Sequence, residues 1–476
     1  MSNRITLSII AILALIGFNA EAKLVLPSVI SDGMIIQQGS TVRIWGKGVP
    51  GESVKISPSW TKELSCRIDK DGNWTLEIDP AETGGPYSMT ISDFDSCVEI
   101  KDILAGEVWI CAGQSNMSMP VAGFQSQPCK NPLERAIESG EHSNIRMFTA
   151  ERSISEKPEF DVKGEWLCAN PENTLKFSAV GYYFALNVSR GLGGIPVGMI
   201  NLSWGGSNVE AWSSRELLKM YPEVDSSMDM NSKSPMRIPT ALHNAMFRPV
   251  CNYSIKGFVW YQGENNRNNR GVYASLFPDM IQEWRQLVGL GDIPFYYAQI
   301  APYSYSDENA IDAPLMMEIQ WKLQYSIPQS GVAVTLDLGE KNQIHYADKE
   351  SLGLRLALLA LTKTYGFSKI PATSPSCRSI RIEDNKAIIS FDNAECGLLI
   401  KDFENKNPFE INGDDEKFLP AKAMVNPKRK NEIVVWSDEI SNPRQVRYAF
   451  RNWSEAILFS NLGLPVPAFR TDNKKY

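Results

Sequence analysis

The hydrophobic rhythm of the chain changes twice. Between Leu24 and about Asp102, short runs of alternating apolar and polar residues are broken by turn signals at Ser31-Asp32-Gly33, Lys47-Gly48-Val49-Pro50-Gly51, Lys70-Asp71-Gly72-Asn73 and Gly84-Gly85-Pro86. Period-two alternation at that spacing predicts a small β-sandwich. The middle of the chain instead has nearly unbroken apolar runs at 108–111, 197–202, 257–261, 295–300 and 332–336. Segments of helical character separate them, among them 179–190, 276–288 and 349–365, the last with Leu352, Leu356 and Leu359 at helical spacing. Strand and helix in alternation predict a parallel sheet with helices on both faces. Ligands of such sheets sit outside the carboxyl ends of the strands. The β pattern returns at 378–382, 387–391, 433–436 and 446–450, after Pro371 and the turn Ser374-Pro375-Ser376.

The expected organisation is therefore an N-terminal β-sandwich at 23–102, an α/β domain at 103–370 and a C-terminal β-rich domain at 371–476. A poorly patterned span at about 123–174 reads as an insertion over the central domain. Residues 1–22 carry Arg4, an apolar run at 5–18 and Ala20-Glu21-Ala22, the pattern of a cleavable secretory signal. The run is shorter than the ~20 apolar residues a membrane span needs, and no cysteine follows it to take a lipid. The expected product is a secreted or periplasmic protein with no membrane anchor once the signal is removed.

Composition narrows the chemistry. The chain has 476 residues, 43% hydrophobic and 22% charged, too long for one core. A net charge of -7 gives no electrostatic reason to expect a nucleic acid partner. The eight cysteines form no C-x-x-C pair and have no histidine at metal spacing, so neither a zinc site nor another cofactor is expected. Export permits disulfides, and Cys66 with Cys97 is the first pair to consider.

Gly113-Gln114-Ser115-Asn116-Met117 follows the apolar run at 108–111, which puts Ser115 at the strand end where an α/β sheet hosts chemistry. A nucleophilic serine needs a base, and histidine has the suitable pKa. Of three histidines, His142 lies in a polar stretch and His243 in an apolar one that reads as a packed ring. His345 lies between the 332–336 strand and the helix that begins near Asp348, on the same rim as Ser115. Acyl transfer also needs fixed donors for an oxyanion. The strand ends at Ser203-Trp204-Gly205-Gly206-Ser207 and Tyr261-Gln262-Gly263-Glu264-Asn265-Asn266 offer glycine N–H groups and side-chain amides.

Four blocks, GEVWICAGQSNM, NLSWGGSNVEAW, WYQGENN and DLGEKNQIHYADK, resemble in order and spacing the sialate O-acetylesterase family of secreted carbohydrate esterases. The likeness extends to Ser31-Asp32-Gly33-Met34, Gln37-Gln38 and Trp45-Gly46 near the start, and to Arg447-Tyr448-Ala449-Phe450 and Gly463-Leu464-Pro465 near the end. It implies an SGNH-hydrolase-like central parallel sheet flanked by N- and C-terminal β-rich regions. It also implies removal of O-acetyl groups from sialic acids, with Ser115 as nucleophile and His345 as general base. The N–H groups of Ser115 and Gly206 and the Asn266 side chain would form the oxyanion hole.

SGNH enzymes commonly carry an aspartate two or three residues before the histidine, where this chain has Asn342 and Gln343. Glu264 is the replacement candidate, since related acetylesterases use that glutamate; Asp337 and Glu340 are weaker ones. Gln114 and Asn116 are expected to hold the turn, with substrate contact as their second reading. Trp204 and Gln262 are expected to face substrate. Aromatic residues crowd these strand ends, Trp109, Trp212, Trp260 and Tyr261 among them. Arg215, Arg237, Arg248 and Arg267 are the arginines available to pair a sialic acid carboxylate. The rival readings are an acetylesterase of another acetylated glycan such as xylan, and a non-catalytic glycan-binding relative.

Overall fold

The computed structural model of the protein describes residues 24–401 and 407–475, and the expected leader at 1–22 lies outside them. The central sheet runs in the order Ser330–Ala333, Phe295–Ala298, Gly257–Tyr261, Cys97–Gly113, Val197–Ser203, Ile145–Thr149, Trp166–Cys168. Every neighbouring pair is parallel except the last. Successive residues point to opposite faces of a strand, and here both faces are buried. Val108, Ile110 and Ala112 join one core with Phe258, Trp260 and Trp284, while Trp109 and Cys111 join the other with Tyr261, Tyr183 and Leu356. That is why these strands read as unbroken apolar runs.

Helices Ala179–Gly191 and Lys349–Lys363 pack together over the second core, and Arg270–Val288 covers the first. Each start has a local cause. The Ser178 side chain accepts from Gly181 N–H, and the Asp348 side chain accepts from Ser351 N–H. Arg270–Val288 stops at Gly289, which is left-handed at φ 71°.

Cys97–Gly113 is the first strand of the sheet in sequence, and it lies in the middle. Val197–Ser203 is added on one side of it and Gly257–Tyr261 on the other. The winding direction therefore reverses at its carboxyl end, which opens a crevice there.

The same 17-residue strand crosses the expected 102/103 boundary, pairing with Gly84–Ser92 and Ile35–Gln37 in the N-terminal sheet before it enters the central one. The span at 123–174 also differs from expectation: it contributes Ile145–Thr149 and Trp166–Cys168 to the central sheet, short strands whose pattern is masked by polar flanks.

Cys66 and Cys97 do not pair. Their strands are separated by two others, Ser53–Pro58 and Gly84–Ser92. Three strand spacings amount to ~14 Å, well beyond disulfide reach.

The C-terminal region consists of antiparallel sheets built from Ser376 onward, and it braces the central domain. Asn452 accepts from Ala313 N–H at 2.8 Å and donates to Asp312 at 2.9 Å, at the start of helix Asp312–Leu323. Arg470 pairs with Glu318 on the same helix at 3.0 Å.

Candidate active site

Ser115 opens a four-residue helix, Ser115–Ser118, two residues after the central strand ends at Gly113. Gly113 has φ +136°, and a Cβ on it would stand 2.1 Å from the Tyr261 carbonyl oxygen. Only glycine makes that turn between two closely paired strands. Gln114 then fastens the turn, its N–H donating to Tyr261 O at 2.9 Å and its side-chain oxygen accepting from Gly263 N–H at 3.2 Å. Ser115 is half-buried, and its Oγ bonds no described protein group. Among the described residues, the N–H groups of Ser115 and Gly206 have no backbone partner.

Asn116 joins the serine turn to the histidine loop. Its Nδ2 donates to Ile344 O at 3.1 Å and to Glu264 Oε1 at 2.7 Å, and its Oδ1 accepts from Lys349 Nζ at 2.6 Å. Residues 116 and 344 adjoin Ser115 and His345, so this bond brings the serine turn and the histidine loop together. Lys349 is fully buried, and its amine lies over the Tyr346 ring at 3.4 Å. Burial pushes this amine down to about 7. Burial raises the Glu264 carboxyl, a shift opposed by the Asn116 bond and the nearby cation of Lys349, and its Oε2 has no hydrogen-bond partner among the described residues.

His345 stands just before the helix that Asp348 caps. Its Nδ1 lies 2.6 Å from Gln127 Oε1, and its ring meets Phe124 edge-on at 5.0 Å between centroids. Burial, with Lys349 adding to it, pushes the imidazole down to about 4. Glu264 therefore bonds Asn116 and not the ring. Both Asp337 oxygens are held by Arg355 at 2.6 Å, and Glu340 accepts from Ala347 N–H at 2.7 Å. His142 lies outside this cluster with Nε2 beside Arg190, and His243 is a packed ring 2% exposed.

Gly205 abuts the serine: a Cβ there would come within 3.2 Å of Ser115 Cβ. Gly206 follows at φ +82°, and its carbonyl accepts from Asn265 Nδ2 and from Arg237 Nε. Asn265, half-buried, is the amide on this rim. The expected donor Asn266 is 1% exposed and spent internally, with Nδ2 on Glu210 and Oδ1 accepting from Val209 N–H and Gln262 Nε2.

The same correction applies to the expected substrate contacts. Gln114, Asn116 and Gln262 are at most 3% exposed and serve the scaffold. Trp109, Trp212, Trp260 and Tyr261 are core residues at 0%. Trp204 is half-buried at the rim. Of the four candidate arginines, Arg237 reaches the site, also bonding Asn265 Oδ1 at 3.1 Å. Arg267 is held by Asp312 and stacks on Tyr305, and Arg215 lies against Met228. Nothing in the structure brings Arg248 to this rim.

Sequence reasoning missed Gln127, Asn265 and Lys349. Asn265 had no distinguishing signal, since Glu264–Asn269 is a single 3-10 turn beyond the strand end and both asparagines are amides on it. Gln127 had no signal, being a polar residue in an unpatterned span 218 positions from its partner.

Residues 105–362 match the family described as carbohydrate esterase, sialic acid-specific acetylesterase. Sialate O-acetylesterase of Mus musculus is 27% identical over 97% of this chain and 96% of its own length. The Homo sapiens enzyme of the same name is 28% identical over 93% and 91%. Among solved structures, a carbohydrate acetylesterase from Xanthomonas citri superposes with a TM-score of 0.85 at 29% identity, covering 95% of this chain and 100% of its own. The chain belongs to the sialic acid-specific acetylesterase family of carbohydrate esterases and is a carboxylic ester hydrolase.

Proposed function

We propose that the protein removes O-acetyl groups from sialic acids by acyl transfer through Ser115. His345 Nε2 takes the Oγ proton while Oγ attacks the acetyl carbonyl carbon. The N–H groups of Ser115 and Gly206 receive the oxyanion, and the Asn265 amide, which donates to Gly206 O and Ser207 O, holds the Gly206 turn in place. Collapse breaks the bond to the sugar oxygen, and His345 returns the proton to that leaving alcohol. Water then repeats the sequence on acetyl-Ser115, releasing acetate and the free serine.

The observation that carries this reading is the Asn116 to Ile344 hydrogen bond, which joins the nucleophile turn to the loop of the base. For the sugar, the support is Arg237, exposed and anchored beside Gly206, where a planar cation suits a carboxylate. A neutral acetylated glycan such as xylan is the second reading. It is favoured by the acidic lining of the adjoining cleft of about 340 Å³, where Glu223, Asp225 and Asp229 stand beside Arg237 and would repel a carboxylate. Secretion is part of the proposal and rests on the charged, apolar and small-residue pattern of residues 1–22.

The test measures acetate release from O-acetylated sialic acid and from acetylated xylan, with 4-nitrophenyl acetate as a common reference. Ser115→Ala is expected to abolish all three. Faster turnover of xylan ester than of sialate ester would overturn the substrate assignment, and activity surviving in Ser115→Ala would overturn the mechanism.

A further inference from the structure

We propose that Gln127 is the positioning residue that sets the tautomer of His345, so that the ester is cleaved by a serine and histidine pair oriented by a neutral amide instead of a carboxylate. The inference rests on the reading of His345 as general base and adds to it the group behind the ring.

An amide oxygen only accepts. With Gln127 Oε1 at 2.6 Å, Nδ1 carries the hydrogen and Nε2 keeps its lone pair, the form a base for Ser115 requires. The carboxylates that could have taken this place are engaged elsewhere: Glu264 on Asn116, Asp337 on Arg355 and Glu340 on the Ala347 N–H. Asn342 and Gln343, where an aspartate was expected, make no side-chain bond to the ring.

Gln127 is itself held in place. Phe124 and Gln127 exchange two backbone hydrogen bonds of 2.9 Å in a tight turn, and Phe124 packs against the imidazole. Three residues on, Lys130 N–H donates to Ala347 O at 3.0 Å, which ties the segment to the histidine loop a second time. The glutamine and the ring it orients are therefore tied together by two separate contacts between their segments.

The charges around the ring suit this arrangement. The 124–127 turn offers it only neutral groups, and the serine turn offers Ser115 and Asn116. From its own segment comes the Lys349 cation, while Glu264 lies behind Asn116. A negative partner on Nδ1 would favour the imidazolium; a neutral one leaves the ring uncharged well below neutral pH.

The test is the pH profile of kcat and kcat/KM for 4-nitrophenyl acetate in the full chain and in Gln127→Glu, Gln127→Ala and Glu264→Gln. In Gln127→Glu, which is nearly isosteric, the acid limb is expected to move up by ~1–3 pH units with KM within twofold. Gln127→Ala is expected to lower kcat by ~10² with little change in KM, as the ring loses its fixed orientation. Glu264→Gln is expected to lower kcat and leave the acid limb in place.

An unmoved acid limb in Gln127→Glu would overturn the proposal and leave Gln127 a packing residue. An acid limb that shifts in Glu264→Gln would overturn it in favour of Glu264. If Gln127→Ala does not fold, the Gln127→Glu profile decides alone. His345→Ala separates the two levels, since activity surviving that change would remove the base itself, whatever Gln127 does.

Discussion

Gly205→Ala probes the nucleophile without touching it. The backbone of Gly205 is outside the left-handed region, so alanine fits its conformation. The added Cβ would stand 3.2 Å from Ser115 Cβ, 3.5 Å from its Cα and 3.8 Å from its nitrogen. Carbon atoms ordinarily meet at ~3.5–4.0 Å, so the two turns must part by roughly 0.3–0.8 Å. A displacement of 1 Å at a reacting group can cost ~10² in rate. Half of that is about tenfold in kcat, or ~1.4 kcal/mol in the barrier.

Sugar contacts away from Ser115 are unchanged, so KM should stay within twofold. Overpacking costs ~1–3 kcal/mol of stability, and rates are therefore compared well below the melting transition of the variant. The assay is steady-state hydrolysis of 4-nitrophenyl acetate and of O-acetylated sialic acid. A kcat within twofold of wild type would refute the reasoning, because it would mean that the oxygen attacking the ester is not borne by the turn that Gly205 touches.

Three further outcomes follow from the buried groups. His345 is active when neutral and is held at about 4, so kcat/KM should fall only as pH drops through about 4 and should stay level from there to neutrality; an acid limb near 6.5 would contradict the burial of the ring. Lys349→Met removes the Nζ bond to Asn116 and should lower kcat about tenfold by loosening the Ser115 turn. It should also alter stability with a definite sign. The folded amine titrates at about 7 and an unfolded lysine at ~10.4, so between those values the unfolded chain holds the extra proton. Wild type therefore gains on Lys349→Met as pH rises from 7 to 9, by up to ~1.4 kcal/mol per unit. Melting curves that keep a constant separation over that range would refute the burial of a titrating lysine.

The placement of Ser115 and Gly206 just beyond strand ends was legible because each follows an apolar run, and in a parallel sheet those ends share one edge; His345 lies in the loop that follows another such run. The turn glycines at 113 and 206 were legible for a related reason: a chain that must leave a buried strand sharply needs a residue with no Cβ. What failed were assignments of side-chain direction. Asn265 and Asn266 are both amides on the same loop, and only the rotation of the backbone decides that Asn265 meets Gly206 while Asn266 turns inward to Glu210. Glu264 was expected to partner His345 because related acetylesterases use that glutamate, and here it bonds Asn116. Of the aromatic residues that crowd the strand ends, Trp109, Trp212 and Trp260 fill the two cores, while Trp204 stays half-buried.

The order of apolar runs and their breaks was enough by itself to determine the alternation of strand and helix, the flanking β regions and the rim on which chemistry could occur. These follow from burial and backbone geometry, which are properties of local sequence. The tertiary structure alone decided which polar groups met across that rim: Gln127 with His345, and Asn116 with Lys349 and Glu264. Such contacts join residues more than a hundred positions apart, and they are selected by the few ångströms and the angle between loops that no local pattern encodes.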